Sequence, residues 1–187
     1  MNPEYLESVA RRLRSRGVEC APGLSASEIE DAEAEHGFRF PPDLRALLEY
    51  TLPVGERFPN WRLPGSAQIR ESLDWPAHGF CFDVEFSAFW LPAWGPRSES
   101  LEKAQARARE AVRAAPMLIP IFGHRYLPAS PSRAGNPVFS VYQTDIIYYA
   151  FDLPSYLFAE FGVPNPFSAP DSPREIDFWS EMERRDE

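Results

Sequence analysis

Apolar positions along this chain change period as it runs, and the changes mark its elements. Tyr5, Leu6, Val9 and Leu13 recur at helical spacing, which predicts a first helix over 3–16. Asn2 stands where a cap is needed, Pro3 suits the first helical position, and Gly17 ends the run. Ser25 and Glu28 then form a capping box inside a Leu24/Ile29 staple, and Gly37 closes that second helix. Residues 38–40 are extended because Pro41 and Pro42 disfavour helix before them. Pro42 opens a third helix over 43–51, with Leu44, Leu47 and Leu48 facing inward and Pro53 as its stop.

The period shortens to two between Met117 and Ala150. Runs at 118–122, 138–142 and 146–149 are rich in Ile, Val, Phe and Tyr and bounded by turn formers, so they predict strands. In the second, Phe139 and Val141 face one way while Val138, Ser140 and Tyr142 face the other. The turn Gln143-Thr144-Asp145 predicts an antiparallel hairpin, and Ile119, Ile121, Phe139, Val141 and Ile147 are the expected buried positions.

Before this sheet, Ile69 and Leu73 mark a short helix over 66–75 with Pro76 as its stop. The alternation of Phe82, Val84 and Phe86 predicts a strand, and 87–96 reads as a loop carrying Phe89, Trp90 and Trp94. Ser98 is placed to cap a helix reaching Ala115, with Leu101, Ala108 and Val112 on one face. After the sheet, a helix over 153–161 completes a domain at 1–162. Residues 163–187 read as a Pro-rich linker and tail whose Ile176, Phe178 and Trp179 suit a terminal helix, loosely docked or binding a neighbour. The fold expected is α+β, a mostly antiparallel sheet with helices on one face.

Composition narrows the classes. A chain of 187 residues suits one domain that buries roughly 70% of its unfolded surface, so no disulfide or metal is needed to hold it. Cys20 and Cys81, far apart and outside any CxxC spacing, read as reduced thiols. A net charge of −9 argues against nucleic acid as partner. Arg11, Arg12, Arg14 and Arg16 read as the solvated end of one helix rather than a phosphate site. No run approaches a membrane span, and the first residues lack a secretory apolar stretch, so the cytoplasm is expected.

Candidate chemistry is thin. The carboxylates Glu28, Glu30, Asp31, Glu33 and Glu35 crowd one helix but read as a solvated face. His36, His78 and His124 are too dispersed for a metal site, and no cofactor motif is present, so none is expected. Loops on a rigid sheet are where function is placed. The expected recognition rim is therefore His124, Arg125 and Tyr126 after the first strand and Tyr142, Gln143 and Asp145 at the hairpin, with Trp90 and Trp94 beside them. His124 with Asp145 is also the pair that would make an oriented base, so a small-ligand site or enzyme using that loop is the alternative reading.

One stretch carries a family resemblance. In LSASEIEDAEAEHGFRFPPDLRALLEYT the capped acidic helix (Ser25, Glu28, Ile29, Ala32, Glu33) is followed by Gly37-Phe38, Phe40-Pro41 and Pro42-Asp43-Leu44-Arg45. An amphipathic helix with Leu47 and Leu48 and the aromatic loop Phe58-Pro59-Asn60-Trp61 come next. This resembles the SMI1/KNR4 family, also called the SUKH superfamily, over roughly 24–162. The resemblance implies an α+β domain that acts through protein contacts, and for many bacterial members an immunity protein that binds and neutralises a toxin. The acidic balance would suit a basic toxin domain. The run 75–116 departs from the family pattern as an insertion, where partner-specific surface is most easily added.

Overall fold

The computed structural model describes residues 1–186 and is α+β. Helix α1, Pro3–Ser15, is capped by Asn2, whose side-chain oxygen accepts from Tyr5 N at 2.9 Å. Strand β1, Glu19–Pro22, leads to α2, Ala26–His36, and the capping box is closed in both directions: Ser25 N donates to the Glu28 carboxylate at 2.8 Å and Glu28 N to Ser25 Oγ at 3.2 Å. Helix α3, Pro42–Tyr50, runs directly into β2, Thr51–Val54, which pairs antiparallel with β1.

The main sheet is an antiparallel meander of β3, Leu118–Phe122, β4, Arg125–Pro128, β5, Val138–Tyr142, and β6, Asp145–Ala150, paired in chain order. Sequence patterning finds β3, β5 and β6, treats β4 as a rim loop, and finds neither β1 nor β2. Strand β4 forms because the two-residue turn Gly123-His124, with Gly123 at φ 54, returns the chain immediately onto β3.

Helices cover both faces of this sheet, not one. Alternation sends Ile119, Ile121, Leu127 and Val138 into a core shared with α1, α2, α3 and α6, Leu153–Phe161. The neighbouring residues Leu118, Tyr126, Phe139, Val141 and Ile146 enter a second core with α4, Ala67–Phe86, α5, Leu101–Ala114, and α7, Trp179–Glu183. Ile147, expected inside, lies opposite Ser140 on the outermost strand and stays 48% exposed.

The tail is built into the second core. Ile176, Trp179 and Met182 are buried there, and the Trp179 indole donates to Pro116 O at 2.7 Å. Arg174 reaches back to Ala134 O and Asn136 Oδ1. The expected loose terminal helix is therefore a short, docked one, and its last position, Glu187, lies outside the described residues.

Helix α4 departs most from the expected pattern. It runs through Pro76 for 20 residues, and the expected strand at 82–86 is its last turns. Proline has no amide hydrogen, so the Ser72 carbonyl one turn earlier loses its helical donor. The Tyr126 hydroxyl, projecting from β4, donates to Ser72 O at 2.9 Å and fills that vacancy. Burial raises the phenol's pKa above its ordinary value near 10, so it stays a donor well into alkaline solution. Val84 then turns inward while Phe82 and Phe86 turn out, so an alternation that imitates a strand is distributed around a helix.

Two stability measurements check this packing. Gly79→Ala would gain about 1 kcal/mol of helix propensity on an open helix. Here the new Cβ would lie 2.6 Å from Gln143 Cα, so urea unfolding should show a net loss of about 1–3 kcal/mol. Tyr126→Phe, which strands the Ser72 carbonyl, should cost about 1–3 kcal/mol. That cost should shrink when Pro76→Ala restores a helical donor, and equal costs in both backgrounds would count against the account given for α4.

Candidate partner-binding surface

The β5–β6 turn lies across α4 and is held by three residues one helical turn apart. The Trp75 indole donates to Val141 O at 3.3 Å. Gly79 leaves room for the Gln143 backbone to touch the helix. The buried Asp83 carboxylate accepts from Thr144 N at 3.0 Å and Thr144 Oγ1 at 2.6 Å, with Ser87 Oγ donating to its other oxygen at 3.1 Å. Spacing i, i+4, i+8 puts all three on one side of the helix. Gln143 sits at φ 57, a left-handed conformation that side chains other than glycine rarely adopt, and the clamp on both sides holds it there.

Beside this clamp runs an aromatic ridge. Trp75, Phe82 and Phe86 recur at i, i+7 and i+11, so they form one stripe along α4. They are 42%, 46% and 66% exposed, and Tyr142, at 54%, continues the stripe from the turn. The Phe82 and Phe86 rings lie 4.6 Å apart, Trp75 and Tyr142 6.2 Å apart, and Tyr142 meets His124 edge-on at 6.1 Å. Exposed aromatics on a rigid frame are the commonest anchors of protein interfaces. Glu71, Asp74 and Glu85 are exposed on α4 along this stripe, and Asp145 is exposed across the turn from Tyr142.

The structure gathers only part of the expected rim. Tyr142, Gln143, Asp145 and His124 share the turn region. Tyr126 does not belong to it: strand alternation points it into the second core, where it is 1% exposed and answers Ser72. Arg125, the adjacent residue, points to the opposite face. Its guanidinium lies 3.9 Å above the Tyr149 ring, donates to Ser140 Oγ at 2.8 Å, and approaches the Glu160 carboxylate at 3.6 Å. Trp90 and Trp94 pack edge-to-face at 5.1 Å, and Trp94 leans on Phe80 and Phe89, so the pair plugs the second core. Asn136, fully buried, donates to Pro128 O and Pro131 O and shapes the loop after β4.

Sequence patterning does not place Trp75, Phe82 and Phe86 in the site. Their helical spacing is present in the sequence, but Pro76 reads there as a helix stop and the alternation at 82–86 as a strand.

His124 and Asp145 make no ion pair among the described residues. Burial lowers the His124 pKa from its usual 6.5, and Arg125 and Arg57 lower it further against the opposing pull of Glu160. An imidazole kept neutral beside two guanidinium groups acts here as a ring against Tyr142.

No protein-family model, curated protein or solved structure matches this chain significantly. Among the described residues no helix is long and apolar enough to cross a membrane.

A folded-state pKa below that of the unfolded chain means that the unfolded form binds the His124 proton first. Stability should therefore fall as pH drops from 6.5 toward the folded value and level off below it. Nitrogen-edited NMR titration should place His124 below 6.5, and His124→Gln should flatten that part of the stability–pH curve. A His124 midpoint at or above 6.5 would contradict the burial described.

Proposed function

We propose that this chain is a non-enzymatic protein-binding domain of the SMI1/KNR4 type, acting in the cytoplasm as an immunity protein that neutralises a basic toxin domain. The observation that carries the reading is the ridge of Trp75, Phe82, Phe86 and Tyr142, exposed and clamped by the hairpin turn. Its aromatic rings would anchor the partner, and the exposed carboxylates Glu71, Asp74, Glu85 and Asp145 beside them would meet its basic residues. The net charge of −9 would speed the encounter with a cationic domain. Three of the four ridge residues, Trp75, Phe82 and Phe86, also fall within the 75–116 run that would depart from the family pattern, where specificity for one partner would be added.

Co-expression tests the proposal. Genes adjacent to the one encoding this chain are expressed alone and together with it, and growth is followed. One neighbour should be toxic alone and harmless with this chain. Phe82→Asp with Phe86→Asp should abolish the rescue and weaken the purified complex by about 2 kcal/mol or more, roughly thirtyfold, while circular dichroism stays unchanged. Absence of any toxic neighbour, or full rescue by the double variant, would sink the reading.

A further inference from the structure

A second surface sits on the seam between the two cores and shares no residue with the ridge. A cleft of about 1230 Å³ opens between the outer face of α2 and the chain that leaves α5 for β3. Its walls are low because they are made of small residues, Ala34 on one side and Ala114 on the other, and Met117 lies in its floor at 41% exposure. A separate cleft of about 300 Å³, whose lining carries Arg70, Arg113 and Asp74, touches the first at Ala115 and Met117 and is not part of it. The main cleft is an open groove rather than a closed pocket, larger than the roughly 300–1,000 Å³ typical of small-molecule sites.

The charges around the main cleft have a sign. Arg39, the one cation among the described residues that line it, is committed to Glu33, whose carboxylate also accepts from Phe40 N at 2.9 Å. That leaves Glu30 on the α2 wall and Asp177 on the far side, both exposed and free of any ion pair among the described residues. Met117 and the alanines, lying between two exposed carboxylates that form no ion pair among the described residues, match a segment that presents apolar side chains downward and cations to either side.

We infer that this groove docks a linear segment of a partner protein in which apolar residues alternate with lysine or arginine. Backbone extension lets successive side chains point to floor and rim in turn, and the smooth alanine walls leave room for the main chain. The inference stands apart from the ridge: a partner could use either surface without the other.

The chain's three methionines make the test direct. With methyl-labelled methionine in the full chain, Met117 reports on the groove floor, and Met182, at 2% exposure, is the buried control. Titration with a synthetic peptide of alternating lysine and leucine should shift the Met117 signal saturably and leave Met182 in place. Glu30→Lys with Asp177→Lys, both at exposed positions, should weaken that binding by roughly tenfold. A peptide of alternating glutamate and leucine should fail on the natural chain and gain on the reversed one. Phe82→Asp with Phe86→Asp should leave the titration unchanged, which separates failure of the groove from failure of the ridge. The proposal is overturned if Met117 does not respond, or if both peptides shift it equally. A Met117 shift that follows protein concentration instead of peptide would assign the groove to a second copy of the chain and equally overturn it.

Discussion

Within α4, Pro76 removes the amide that the Ser72 carbonyl needs, and a phenol from the sheet takes that amide's place. This bond is local in extent and wide in consequence. It lets α4 run on for a further ten residues beyond the proline, and it sets the helix against β4 at a defined point. From there Trp75, Gly79 and Asp83 meet the β5–β6 turn, and α5 and the plug of Phe89, Trp90 and Trp94 pack on the face that remains. A helix that stopped at Pro76 would leave the second core without its lid.

The sheet separates two cores, and strand pleating decides which residue serves which. Arg125 and Tyr126 are neighbours in sequence and face opposite layers. Tyr126 anchors α4. Arg125 is held by Glu160, Ser140 and the Tyr149 ring. A largely buried ion pair of this kind adds little net stability but would leave an uncompensated charge if either partner were lost. Both residues are structural for that reason, and the aromatic side chains of the ridge that stay exposed lie along α4. The tail follows the same logic: Ile176, Trp179 and Met182 fill space that the sheet, α4 and α5 leave open.

Two surfaces result from this arrangement, and they differ in character. The ridge is aromatic and backed by the clamped turn, as the proposed contact with a folded domain would require. The seam is concave, lined by small residues, and suited to an extended chain. Each has carboxylates at its border, which is how an overall charge of −9 becomes local chemistry instead of a general property.

Local signals alone determined the three helices in the first third of the molecule, but not the β1–β2 pair, whose partners lie about 30 positions apart. Asn2, the Ser25/Glu28 box, Gly37 and Pro42 each act within one helical turn, so their reading in the sequence matches their role in the structure. The pleats of β3 and β5 were legible too, because alternation is a property of the strand itself. What tertiary structure decided is the course of the chain from Ala67 to Phe86 and the fate of the rim. Pro76 forbids a hydrogen bond, not a helix, and a hydroxyl from Tyr126, 54 positions beyond Ser72, answers the carbonyl it leaves free. With the helix continued, Phe82 and Phe86 became a surface stripe, and the rim divided between the two faces of the sheet. Partners that remote leave no trace in local spacing, so the ridge became visible only when the strands were in place.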